Sequence, residues 1–155
     1  WVIAVYTKLL PVNWLSKGFY SHAEIEFVER KECYSSANKG SFNGVRFEKS
    51  ENVIKNPKHW DAITIAIGVD EEIFLHNACK KLEGIPYDWL GVLAGFVTYY
   101  VQDSSRFYCS EVCANRLNAA GLFPFKYPVI SPIRLAKVAS NHFDRPILPM
   151  DLIAP

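Results

Sequence analysis

From Ser21 to Val28 the chain reads SHAEIEFV, with Ala23, Ile25 and Phe27 alternating with His22, Glu24 and Glu26. A period of two is that of a half-buried β-strand, so one face is apolar and His22 and Glu24 share the other. Val2–Tyr6 has the β-branched and aromatic content of a strand, and Pro11–Lys17 reads as a loop or short helix. After the turn-like ERKE, Cys33–Ser36 and Val45–Phe47 suggest strands on either side of a loop, NKGSFNG. Trp60–Ile67, a β-branched run after Pro57, reads as a central strand.

The pattern then becomes helical. In DEEIFLHNACKKLEG, a stripe of Ile73, Leu75, His76, Cys79 and Leu82 follows a first turn rich in acids and ends with lysines and Gly84. Pro86–Trp89 breaks the chain, Leu90–Val101 reads as a second helix, and QDSS as a loop. Cys109, Val112, Cys113, Leu117 and Ala120 then recur at helical spacing as far as Gly121. Ser131 as N-cap and Pro132 at the first helical position start a last short helix over SPIRLAKVA, followed by His142 and an extended, proline-rich tail. Strands grouped first and helices after predict an α+β fold, an antiparallel sheet packed against helices, in a single domain over residues 1–155.

Composition narrows the function classes. With 155 residues, half of them apolar, the chain can bury a core without disulfide or metal staples. Seventeen basic and sixteen acidic residues are scattered and leave a net charge of +1, so no basic stripe offers a nucleic-acid surface. The longest apolar run, Trp89–Val101, has 13 residues, short of the roughly 18 to 20 that span a bilayer. WVIAVYTKLL has no basic leader, and four irregularly spaced cysteines read as thiols, which together predict a reducing, cytoplasmic setting; a monomer is expected.

The chemistry concentrates in Arg106–Arg116, RFYCSEVCANR. Cys109 and Cys113 form a CxxxC pair with no second Cys or His pair to complete a zinc site, and a CxxC redox motif is absent. Cys33, Cys79 and Cys113 fall where apolar side chains would fit and read as inert core thiols. Cys109 lies in the first turn of a helix, where unpaired N–H groups and the helix dipole lower a thiol pKa. Two readings of it stand: a thiol packed under Phe107 and Tyr108, or an activated nucleophile. A nucleophile needs an imidazole and a third polar group to orient that imidazole. His76 lies on a helix stripe and reads as a boundary residue, and His59 and His142 as loop residues. His22, on the polar face of its strand beside Glu24, is the candidate base, 87 positions before Cys109. Glu111, third in the helix, reads as an acid satisfying the first N–H groups. Tyr87 and Trp89, beside Pro86, are candidates to line a groove.

SHAEIEF, CYSS, GVRFEK, GIPYDWLG, FYCSEVC and SPIRL, in that order between about residues 20 and 138, resemble the circularly permuted papain-like proteins of the NlpC-type cysteine peptidase superfamily, the YiiX/YaeF-like group and its phage relatives. The resemblance implies a permuted papain-like fold and a cysteine peptidase, amidase or acyl hydrolase working without a cofactor or metal. Cys109 matches the nucleophile and His22 the base. The third group is Glu24, with Ser35 on the following strand in reserve. Tyr87, Trp89 and Tyr108 are expected to contact a peptide, peptidoglycan-like or acylated substrate. A phage or viral origin would place the protein in the host cytoplasm. Two alternatives are a catalytically silent binding or structural domain, and a lipid acyltransferase using the same Cys and His.

Overall fold

A computed structural model describes residues 2–7, 20–39, 42–94, 105–123 and 130–150. Among the described residues six strands form one sheet: β1 (Val2–Thr7), β2 (His22–Phe27), β3 (Glu32–Lys39), β4 (Phe42–Lys49), β5 (Trp60–Ile65) and the two-residue β6 (Leu148–Pro149). Their spatial order is β4-β3-β2-β1-β5-β6 and every pairing is antiparallel. The helices are α1 (Ser50–Val53), α2 (Val69–Lys80), α3 (Trp89–Ala94), α4 (Cys109–Ala119) and α5 (Pro132–Phe143). The expected α+β class with an antiparallel sheet is therefore what the chain adopts. Among the described residues no helix is long and apolar enough to cross a membrane.

The alternation in β2 places Ala23, Ile25 and Phe27 in the main core with Tyr34 of β3 and Val45 of β4. Against them pack Val112, Cys113 and Leu117 of α4, Leu75 and Cys79 of α2, and Leu135, Ala136 and Ala139 of α5. Fully burying a Leu, Ile or Phe stabilises by about 1.5–3 kcal/mol, so this stripe-on-sheet contact is the main source of stability. The opposite face of β2 is not the solvated one that its polar residues predict: Glu24 is 0% and Glu26 9% exposed.

Several boundaries differ from the sequence pattern. β3 and β4 run on to Lys39 and from Phe42, because Ser36–Lys39 and Phe42–Val45 pair across the hairpin where their polar and glycine content reads as loop. β5 is flanked by β1 and the short β6 and is not central. In α2, Ile73 is 43% exposed and the buried set is Leu75, His76, Ala78 and Cys79. Residues two apart on a helix lie about 200° apart around it, so Ile73 and Leu75 cannot both face the sheet. α5 continues past Ala139 to Phe143 and stops where Asp144 turns left-handed at φ 49°, which puts His142 inside its last turn. The Pro11–Lys17 segment, residues 95–101 of the expected second helix, residues 102–104 of the loop after it and the tail from 151 lie outside the described residues.

One junction positions the site. Gly44 of β4 has φ +148°, and a Cβ there would lie 2.3 Å from the Ile85 carbonyl oxygen. The missing side chain lets the 84–86 segment dock on the sheet edge, with Val45 N–H donating to Ile85 O at 2.8 Å and Gly84 N–H to Val45 O at 2.9 Å. Gly44→Ala is expected to cost at least about 1–3 kcal/mol, from backbone strain and the lost edge contact, read as a lower urea midpoint with an unchanged denaturant slope.

Candidate functional site

Cys109 is the first residue of α4, and the residues before it fix where it stands. Phe107 N–H donates to Pro86 O at 3.2 Å and Asp88 N–H to Phe107 O at 3.1 Å, a short parallel bridge that sets Tyr87 beside Phe107. The Ser36 hydroxyl of β3 donates to Phe107 O at 2.6 Å. On the helix side, Ser110 Oγ donates to Ile130 O at 2.5 Å, and the Tyr108 hydroxyl accepts from Ile130 N–H at 2.9 Å and donates to Ile130 O at 3.2 Å. Glu111 accepts from Tyr108 N–H at 3.3 Å, the capping role its position in the helix predicts.

His22, the first residue of β2, stands near enough to Cys109 for each to shift the proton affinity of the other. Its Nε2 is 2.6 Å from Glu24 Oε1, which leaves Nδ1 as the ring nitrogen available to sulfur. The residues at i and i+2 of one strand share a face, so the strand itself aims the carboxylate at the ring. The Trp60 ring stands edge-on to the imidazole, with centroids 6.4 Å apart. Cys109 as a residue is only 4% exposed, whereas the His22 side chain is 20% exposed, so the site meets solvent mainly at the imidazole.

Behind Glu24 stands a residue to which the sequence pattern assigned no role. Arg46 of β4 donates to Glu24 Oε1 at 2.8 Å and to Oε2 at 3.1 Å, and to Ser35 O at 3.4 Å. It lies within the GVRFEK stretch, but nothing local in the sequence connects it to a strand two places away in the sheet. Ser35 itself, the reserve third group, donates to Ala23 O at 2.6 Å and does not serve the imidazole.

The electrostatics follow from these contacts. Burial works against a charged His22, but the Cys109 thiolate and the Glu24 carboxylate outweigh it and push the imidazolium pKa up to about 10. Burial likewise opposes a charged Cys109. The His22 charge and hydrogen bond, with the backbone N–H groups of Ala23 and Ser110, overcome it and hold the thiol below its ordinary value. Burial is also the first effect on Glu24, and His22 and Arg46 together reverse it and hold the carboxyl low. Burial is the main effect pushing the thiols of Cys33, Cys79 and Cys113 up, and the Glu24 charge adds to it at Cys33 and Cys113.

Of the three aromatic residues expected at the groove, Tyr87 is half-buried near Cys109 and Trp89 is 51% exposed, their rings 5.1 Å apart. Tyr108 is 5% exposed with its hydroxyl tied to Ile130, so it anchors the helix and does not line the groove. His76 bonds Glu32 at 3.1 Å, His59 bonds Asn56 at 3.2 Å and His142 bonds Leu122 O at 3.1 Å. None of the three lies at the thiol.

No protein-family model matches the chain, and no curated protein matches it. Among solved structures, it is similar to the metalloprotein YiiX of Escherichia coli O157:H7, with a TM-score of 0.55 and 17% identity over 76% of this chain. The match takes in 64% of the YiiX chain, so this protein spans less than two thirds of that length, and the likeness is one of fold.

Proposed function

We propose that the protein is a cysteine hydrolase of permuted papain-like, NlpC-type fold, with Cys109 as nucleophile, His22 as general base and acid, and Glu24 as the group that orients the ring. The observation that carries this reading is an imidazole held by a carboxylate, Nε2 at 2.6 Å from Glu24, beside a helix-start thiol that its charge holds below the ordinary range. The YiiX-like fold supports it. The thiolate attacks an amide or ester carbonyl carbon and a C–S bond forms as the carbonyl pair moves to oxygen. When the tetrahedral adduct collapses, the C–N or C–O bond breaks and the imidazolium proton passes to the departing atom. Water, deprotonated by neutral His22, then releases the acyl group and restores the thiolate. The first N–H groups of α4 have no partner four residues earlier in the helix; aimed at the oxyanion, each is worth about 3 kcal/mol. Exposed Trp89 and Leu90, with Tyr87 beside the thiol, favour a substrate with an apolar acyl or side-chain group. An acceptor other than water would make the same pair an acyltransferase.

YiiX is described as a metalloprotein. Here no group of three or more His, Cys, Asp or Glu side chains among the described residues is placed to hold a metal ion. Glu24, the carboxylate bonded to His22, is taken up by His22 and a guanidinium, whose charge opposes a cation. The described residues around Cys109 and His22 do not fit a metal.

Two outcomes are expected. Incubation with an activated acyl ester gives a single thioester adduct on Cys109 by mass spectrometry, absent in Cys109→Ala and slowed about 10²- to 10⁴-fold in His22→Ala. An adduct on another thiol, or none on any, would leave a silent scaffold. Second, lowering the pH through the depressed Cys109 pKa protonates the thiolate and abolishes alkylation by iodoacetamide. Raising it through about 10 removes the imidazolium proton, so turnover falls while alkylation persists. His22→Ala is expected to move the alkylation limb to higher pH, because burial is then opposed only by the N–H groups of Ala23 and Ser110.

A further inference from the structure

The proposed pair raises a question of charge. A Cys109 thiolate, a His22 imidazolium and a Glu24 carboxylate sum to one net negative charge in a site where Glu24 has no exposed surface. An unbalanced buried charge is costly and would push a proton back onto the sulfur. The Arg46 guanidinium, 12% exposed at its side chain, grips both carboxylate oxygens at 2.8 and 3.1 Å, and one of those oxygens is the atom bonded to His22 Nε2. Fork-on-fork pairing fixes the carboxylate plane as well as its charge.

We propose that Arg46 is the positioning residue that allows a carboxylate to serve as the third member of this site, bringing its buried charge to zero and holding Glu24 in line with the imidazole. The inference rests on the thiolate–imidazolium reading of Cys109 and His22. Other titratable groups facing the cluster do not substitute for Arg46. Cys33 of β3 and Cys113 of α4 are thiols kept neutral by burial, as is the Tyr87 hydroxyl. Glu26 of β2, on the same face as Glu24, and Glu48 of β4, bonded to Asn52 Nδ2 at 2.6 Å, are further acids. Trp60, against the ring, is uncharged. Among the described residues bonded to Glu24, the cations are His22 and Arg46. With a neutral amide at position 24 the pair would balance without a guanidinium, so the need for Arg46 is specific to glutamate.

The test follows two protonation steps without relying on turnover: the Cys109 thiolate by iodoacetamide rate against pH, and the His22 imidazolium by ring-nitrogen NMR, with circular dichroism as the check of fold. Arg46→Met removes a positive charge, so both steps are expected to move to higher pH by about one unit or more. Glu24→Gln removes a negative one, and both move down. The double variant lies between the two singles, and Arg46→Lys, which keeps the charge without the fork, shifts less than Arg46→Met. A purely structural role would lower rates and leave both steps in place. Folded Arg46→Met with unmoved steps overturns the proposal. If Arg46→Met does not fold, an Arg46→Lys and a double variant that both titrate as their Arg46-containing counterparts overturn it equally. A wild-type Cys109 that alkylates only in the ordinary thiol range would instead sink the thiolate–imidazolium reading itself.

Discussion

An ionised carboxylate with no exposed surface, set within a β-sheet, has to be answered by charge and hydrogen bonds at its own location. Glu24 is answered on both sides, by His22 at 2.6 Å and by Arg46 at 2.8 and 3.1 Å. These partners come from β2 and β4, with β3 between them, and the Ser35↔Arg46 pairing of β3 with β4 brings the guanidinium into reach. A one-residue slip of β4 would turn Arg46 to the other face of the sheet and leave the carboxylate with one partner. Breaking a buried pair by removing one member costs about 3–5 kcal/mol, so the register of the hairpin and the state of the imidazole are the same constraint.

Cys109 and Cys113 make the dependence on local geometry plain. They stand one turn apart on the same face of α4, yet one is depressed and the other raised. Both touch Ala23. The backbone N–H of Ala23 donates to the Cys109 sulfur, while its carbonyl oxygen accepts from Cys113 Sγ at 3.7 Å, and Tyr34 O lies at 3.9 Å from that same sulfur. An N–H donor favours a thiolate and a carbonyl opposes one. Burial opposes a thiolate at both, and what separates them is the His22 charge, aided by the Ala23 N–H, which overcomes burial at Cys109 and is missing at Cys113.

Much of this was legible where the relevant physics is local. The period-2 pattern of SHAEIEF located β2 and placed His22 and Glu24 on one face, and the N-cap and proline at 131–132 marked the start of α5. What failed was non-local. The polar side of β2 is covered and not solvated, because Arg46 from another strand closes over Glu24, and no window around residue 24 contains that information. The hairpin reads as a loop because Ser, Asn, Lys and Gly carry turn signals, and cross-strand pairing overrides them. Tyr108 reads as a groove residue beside Cys109, but a hydroxyl tied to the chain 22 residues later settles its direction. Neighbouring position in a motif did not imply a shared role.

The two halves of the site meet on three consecutive residues of β4. Gly44 admits the Ile85 carbonyl, Val45 bonds the 84–85 backbone at both its N–H and its C=O, and Arg46 holds Glu24. From Ile85 the chain runs through Pro86, whose carbonyl accepts from Phe107 N–H two residues before the sulfur. From Arg46 the contacts run through Glu24 to the imidazole. One short stretch of β4 is thus tied to the nucleophile's segment by backbone hydrogen bonds and to the base by an ion pair through Glu24. Preorganisation of this kind matters because a displacement of about 1 Å between reacting groups can cost about 10²-fold in rate. The glycine in GVRFEK is thus as much a part of the site's geometry as the arginine two residues on, although only the arginine touches a charged group.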